Sequence, residues 1–193
     1  MKKTLLSLFA LACTLTASAD AVTFEKDGLK YEVTSPTTVR VAENKIAGVT
    51  VNVPANVENN GTTYTVNSIG EEAFKWDNVI NVTLPETIDS IYDSAFTSTK
   101  IVDLTLPSKL VYIGNYAFNS SNLESITIPA SVKHIGNGAF FTCSNLQTVT
   151  FQGNVEELGG SIFYHTPVAK VTLSDDMTQI GDKMFLKCDK LTD

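Results

Sequence analysis

The sequence predicts a solenoid of stacked coils behind a β-rich N-terminal cap, and three observations predict it. A pattern returns six times: an aliphatic residue, usually a glycine, two variable residues, a small or aliphatic residue and then phenylalanine. Those phenylalanines are 22 or 23 residues apart, namely Phe74, Phe96, Phe118, Phe140, Phe163 and Phe185. The stretch before the first repeat alternates apolar and polar residues without that period. A fixed period of this length is typical of units that bury their apolar faces only against their neighbours.

Residues 1–19 are expected to be a secretory signal peptide. Lys2 and Lys3 form a basic start, an apolar run follows, and Ala17-Ser18-Ala19 is a small-residue cleavage pattern. The run is shorter than the roughly 20 residues that a membrane-spanning helix needs. We therefore expect a secreted or cell-surface protein without a transmembrane segment. A lipid anchor at Cys13 stays open, although lipoprotein signals usually carry leucine three residues earlier.

The charge of the chain argues against nucleic acid as a partner. The formal net charge is −7, and removal of the signal peptide takes away two lysines and no acid, which brings it to −9. A nucleic-acid-binding surface needs clustered basic residues.

Residues 20–67 are predicted to form an antiparallel β cap that shields the first coil. The range 24–41 alternates apolar and polar residues, as strands with one buried face do. Asn60-Gly61 lies between two further strand-like segments, 56–58 and 62–66, and is a strong hairpin signal.

Residues 68–193 are predicted to be repeats of 22–23 residues that end within a repeat. In the clearest one, Ile126 and Ile128 share one face of a short strand while Ser125 and Thr127 share the other. The same strand is expected at Val82/Leu84, Leu104/Leu106, Val149/Phe151 and Val171/Leu173. These strands would form one parallel sheet, with irregular turns on the opposite side. Each Ala-Phe segment would be a single 3₁₀ or α turn, and each glycine a tight corner.

No C-terminal cap is visible in the sequence. The chain stops at Leu191-Thr192-Asp193, on the first apolar position of another strand. We therefore expect either that the natural chain continues or that a partner associates with this uncapped end.

Cys143 and Cys188 hold the same place in their repeats and stand two coils apart. With about 4.8 Å between neighbouring strands, their separation would be near 10 Å, which no disulfide spans. Both are predicted to be free, buried thiols.

These residues resemble the BspA-type leucine-rich repeat family of exported and surface proteins, over roughly residues 24–193. The family unit L-x-x-I-x-I-P-x-x-V-x-x-I-G-x-x-A-F-x-x-C is met almost completely by residues 123–143. Later coils depart from it at Gln152 and Ser174, which replace proline, and in the 23-residue coil around 153–158. The resemblance implies a right-handed leucine-rich repeat solenoid with short parallel strands and little helix. It also implies adhesion to host matrix proteins, host cells or other bacteria, and it brings no functional residue set.

The sequence offers no catalytic, cofactor or metal constellation. His134 and His165 lie at different corners, so a shared site is not expected. In the acidic pairs Glu156-Glu157 and Asp175-Asp176, the two side chains point in different directions. Solvated turns therefore explain them better than acid–base catalysis does. We predict that the chain is not an enzyme and holds no cofactor.

Two surfaces are candidates for ligand binding. The first is the outward face of the sheet, where a constant threonine column runs beside a variable column: Asn81, Thr83, Asp103, Thr105, Ser125, Thr127, Thr148, Thr150, Lys170 and Thr172. Threonine also simply suits an exposed strand. The second is an apolar stripe that lies exposed, packs beneath the turns of the following coil or packs against further C-terminal sequence: Phe141, Tyr164 and Leu186. Trp76 is expected to be half-buried beside Phe74.

The function predicted from these features is an exported adhesion module that binds a host matrix protein or a surface protein of another bacterium. A passive spacer that holds another domain away from the cell surface is the alternative. Carbohydrate binding is less favoured because the predicted sheet face carries no aromatic platform.

Overall fold

A computed structural model of the protein describes residues 21–46 and 48–192. The predicted signal peptide, with Cys13, lies outside the described residues. Those residues form fourteen strands and no helix. The strands are β1 (Thr23–Lys26), β2 (Leu29–Val33), β3 (Thr38–Asn44), β4 (Thr50–Asn52), β5 (Asn56–Asn59), β6 (Thr62–Ile69), β7 (Asn81–Thr83), β8 (Ser90–Ile91), β9 (Tyr112–Ile113), β10 (Ser125–Ile128), β11 (His134–Ile135), β12 (Thr148–Phe151), β13 (Glu157–Leu158) and β14 (Lys170–Thr172).

The predicted cap is built from β1 to β6. Strands β1, β2 and β3 pair antiparallel, and β5 and β6 form the predicted hairpin. Asn60 and Gly61 at its tip both have positive φ, 50° and 78°, which is the conformation that a tight hairpin turn requires. The cap joins the repeats through β3 and β6, which pair in parallel.

The expectation of one sheet with irregular turns opposite is wrong, because the coils carry two sheets. The longer one continues from the cap along the corner strands in the order β6-β8-β9-β11-β13. The predicted sheet exists as two separate pieces, β4-β7 and β10-β12-β14. The break falls at Leu104 and Leu106, where the sequence predicts a strand and the structure has none.

Side-chain branching explains where the second sheet breaks. The paired coils carry β-branched residues such as Ile126 and Val149 at these positions, and such residues favour extended backbone. The unpaired coil carries Asp103-Leu104-Thr105-Leu106. Leucine ends the strand elsewhere as well, since β7 stops before Leu84 and β14 stops before Leu173.

The Ala-Phe segments are hydrogen-bonded turns and not the predicted helical turns. The residues two before and two after each core phenylalanine have positive φ, which interrupts a right-handed helix: Glu72, Trp76, Ser94, Ser98, Tyr116, Ser120, Gly138, Thr142, Ser161, His165, Lys183 and Lys187. This alternation lets every second N–H donate to the next coil. Phe118 N–H, for example, donates to the Ala139 carbonyl at 2.7 Å.

The interior is organised around the six repeated phenylalanines. Five of them are fully or almost fully buried, and Phe185 in the last coil is half-buried. Neighbouring rings are parallel, with centroids 4.9–5.5 Å apart. Contact between coils, rather than within one coil, therefore builds the core.

The last coil exposes positions that are interior elsewhere. Ile180 is 62% exposed, whereas the equivalent Ile113 and Ile135 are fully buried. Leu173 is 45% exposed, whereas Ile128 and Phe151 are buried. Association of a partner with this end stays a prediction.

Both cysteines are free and buried, as predicted. The Cys143 thiol donates to the Phe118 carbonyl at 3.0 Å, and the Cys188 thiol donates to the Phe163 carbonyl at 3.1 Å. At equivalent positions, Thr99 and Thr166 donate hydroxyls to local carbonyls. The buried thiols and hydroxyls at this position thus form a row of hydrogen-bond donors to backbone carbonyls.

We expect Cys143 to resist alkylation in the native protein. Burial raises the pKa of its thiol to about 11, so the reactive thiolate is scarce at pH 8. Peptide mapping after iodoacetamide treatment should find Cys143 unmodified in the folded protein and fully modified in denaturant. Equal labelling rates in the two conditions would contradict the burial of this residue.

Candidate functional site

The structure brings the predicted sheet-face residues together in two groups. Ser125 aligns with Thr148 and Lys170, and Thr127 aligns with Thr150 and Thr172, across β10, β12 and β14. On β7, Asn81 and Thr83 align with Thr50 and Asn52 of the cap strand β4. Asp103 and Thr105 lie between the groups, on the coil without a strand.

A groove of about 510 Å³ opens where the sheet is interrupted. The segment from Asp103 to Leu106 lines it, together with Ser125, Thr127 and Pro129 of the next coil. Ser108, Ser131 and Gln152 also line it. Four of the ten predicted binding residues therefore line one concavity, and sequence periodicity gave no sign that it would exist.

The groove is lined by both polar and apolar residues, and one of them, Ser108, is hydrogen-bonded to the preceding coil. The backbone N–H and the hydroxyl of Ser108 both donate to Glu86 Oε2, at 2.9 and 2.7 Å. These hydrogen bonds lower the pKa of the Glu86 carboxyl. Asp103 is exposed, and the described residues give its carboxylate no ion-pair partner. A basic group is the charge complement of this groove.

The apolar stripe is partly covered by its own members. Phe141 and Tyr164 are half-buried and stack with centroids 4.7 Å apart, while Leu186 is 46% exposed. Tyr116, which sequence reasoning missed, places its ring edge-on to Phe141 at 6.2 Å. The stacked pair therefore covers one face of Phe141 and one face of Tyr164.

A second aromatic row lies on the longer sheet and was also missed. The Tyr112 and His134 rings stack at 4.6 Å, and the Tyr92 and Tyr112 rings lie 5.7 Å apart. His134 Nδ1 lies 2.8 Å from Glu157 Oε2. Tyr112 and His134 each stand directly before a corner isoleucine, whereas Tyr92 directly follows Ile91, so the row becomes visible only once the corners are known to be strands.

Trp76 is not half-buried as expected, since 71% of the residue is exposed. Its backbone has φ 62°, which directs the ring away from the interior. The Lys75 ammonium lies 4.5 Å from the ring centroid, and Lys75 also pairs with Glu72. The backbone conformation of the turn therefore decides where this side chain goes.

The two histidines and the acidic pair Glu156-Glu157 do not converge on one site. His134 pairs with Glu157, and Glu156 pairs with Lys133 at 3.1 Å, so the acidic pair splits between two partners. His165 lies on the turn after Phe163, where it is exposed. Among residues 21–46 and 48–192, no three metal-binding side chains cluster. In the same ranges, no helix has the length and apolar character to cross a membrane.

Comparison with known proteins gives one family and several similar folds. The model of the BspA type leucine rich repeat region matches six copies over residues 67–192. A leucine-rich repeat protein of T. pallidum has 20% identity and a TM-score of 0.64, and the match covers 88% of this chain and 91% of that one. The pneumococcal vaccine antigen PcpA has 16% identity and a TM-score of 0.58, with 90% and 69% covered. No curated protein sequence gives a significant match.

Proposed function

The chain belongs to the BspA-type leucine-rich repeat family, and from this premise we propose that it is an exported protein-interaction module. It binds a surface protein of a host or of another bacterium through the interrupted sheet face of the solenoid. Export is proposed from the basic, apolar and small-residue pattern of residues 1–19.

One observation carries this proposal: the groove that interrupts the sheet is lined by Asp103, Thr105, Ser125 and Thr127. Their neighbours on β12 and β14 extend the same face in register. The part of this face on β10, β12 and β14 is fixed by strand pairing, so it loses little conformational entropy on binding and keeps more of its contact energy.

The test is to replace Asp103, Thr127 and Lys170 together with alanine. We expect binding to immobilised matrix proteins such as laminin and collagen, or to intact bacterial cells, to weaken at least tenfold, which is about 1.4 kcal/mol. Surface plasmon resonance measures the affinity, and an unchanged thermal midpoint shows that the fold is intact.

The matched control replaces Phe141, Tyr164 and Leu186 with alanine. This variant should keep the wild-type affinity if the sheet face binds, and should lose it if the apolar stripe binds. A parent protein that binds none of these targets, or two variants that both bind normally, would overturn the proposal and favour a passive spacer.

A further inference from the structure

The main chain beside the groove is unpaired. Among the described residues, the main-chain groups from Val102 to Leu106 form one main-chain hydrogen bond, in which Glu124 N–H donates to the Val102 carbonyl at 3.1 Å. The corresponding segments of the next three coils are the paired strands β10, β12 and β14. Backbone N–H and C=O groups are strong hydrogen-bonding groups, and proteins leave few of them without a partner.

The interruption also creates two strand edges inside the stack. Strand β10 is hydrogen-bonded to β12 and ends its sheet, and β7 is hydrogen-bonded to β4 and ends its own. An interior strand of a solenoid normally pairs on both sides. Here both edges face the segment 102–106, so neither the two edges nor this segment has a strand partner across the interruption.

We infer that the ligand bound in this groove is an extended peptide segment, recognised through its main chain by the unpaired groups of Val102–Leu106. This inference rests on the proposed function and names its ligand class. Hydroxyls of Thr105, Ser125 and Thr127 line the groove beside those groups, and the free carboxylate of Asp103 favours a basic side chain in the segment. Addition of an extended peptide to unpaired sheet groups is a general mode of peptide recognition.

Amide hydrogen exchange tests the inference directly. The amides of Leu104, Thr105 and Leu106 should exchange faster in the free protein than those of Ile126 and Ile128. The probe is a capped nine-residue peptide that alternates threonine and valine and carries two lysines. At about 1 mM peptide, a concentration that detects weak binding, the three amides should exchange at least tenfold more slowly. Unchanged exchange at this concentration overturns the inference.

A peptide analogue separates main-chain pairing from side-chain contact. N-methylation of alternate residues removes main-chain donors while it keeps every side chain. The analogue should bind at least tenfold more weakly than the parent peptide. Equal affinity overturns recognition through the main chain.

A variant that closes the interruption provides the matching test on the protein. The substitutions Asp103→Ser, Leu104→Ile and Leu106→Ile give this coil the Ser-Ile-Thr-Ile sequence of β10. We expect its own amides to become protected without peptide, and the peptide affinity to fall at least tenfold. The control, Leu84→Ile with Leu173→Ile, makes the same leucine exchange on two coils that already form strands, and should bind the peptide normally. Peptide binding that survives closure of the interruption overturns the inference.

The outcomes distinguish this inference from the proposed function. One outcome is that matrix-protein binding depends on Asp103 and Thr127 while the amides of Leu104, Thr105 and Leu106 stay unprotected in the presence of peptide. That result would support the proposed function and overturn the inference of an extended peptide ligand. Protection that grows with protein concentration in the absence of peptide would assign the groove to a second copy of the chain, and would also overturn the inference.

Discussion

Replacement of Phe118 by alanine is expected to lower the free energy of unfolding by about 3 to 5 kcal/mol, the range for truncation of a buried aromatic side chain. Phe118 is fully buried, and its ring lies between those of Phe96 and Phe140, with centroids 5.3 and 5.1 Å away and planes within about 6°. The rings above and below belong to different coils, so the cavity would remove contacts on both sides at once.

Chemical denaturation measures this loss, and Phe141→Ala is the matched control. Phe141 carries the same side chain in the next coil, but it is half-buried near the surface. We expect its truncation to cost less than half as much as that of Phe118. A loss below about 1 kcal/mol for Phe118→Ala would show that the column of phenylalanines does not hold the coils together.

Replacement of Gly136 by alanine is expected to destabilise the fold by about 1 to 3 kcal/mol, the range for overpacking a filled interior. A Cβ at this position would lie 2.5 Å from Asn115 N and 2.6 Å from Gly114 C. Both atoms are backbone of the preceding coil, so no side-chain rotation relieves the contact. The corner glycines predicted from the sequence thus set how closely coils approach one another.

Gly160→Ala is the control for this prediction. Its Cβ would lie 3.5 Å from the Asp182 carbonyl oxygen and 3.6 Å from Asn137 Oδ1, which are ordinary contact distances, and its φ is not in the left-handed region. We expect no loss of stability in this variant. Thermal unfolding of the two variants side by side checks the prediction, and equal midpoints would contradict it.

The sequence by itself determined the repeat, the interior and the capping hairpin. A 22-residue period requires each apolar column to meet the same column of the next coil, so Phe118 and Leu110 are interior on pattern alone. Asn60-Gly61 fixes its turn locally because both residues tolerate positive φ. The free cysteines followed from the same argument, since coil spacing alone separates them.

Only the tertiary structure decided which strands pair, where Trp76 points and where the groove lies on the surface. Strand pairing depends on hydrogen bonds between coils, which the pattern within one coil does not report. The pattern Leu104/Leu106 therefore predicts a strand, but the neighbouring coils do not pair with it. Trp76 turned outward because its position in the turn has left-handed backbone, which a repeat of residue types does not encode. The groove arose from the same interruption. Periodic burial is encoded residue by residue, whereas a gap between two coils depends on how both of them pack.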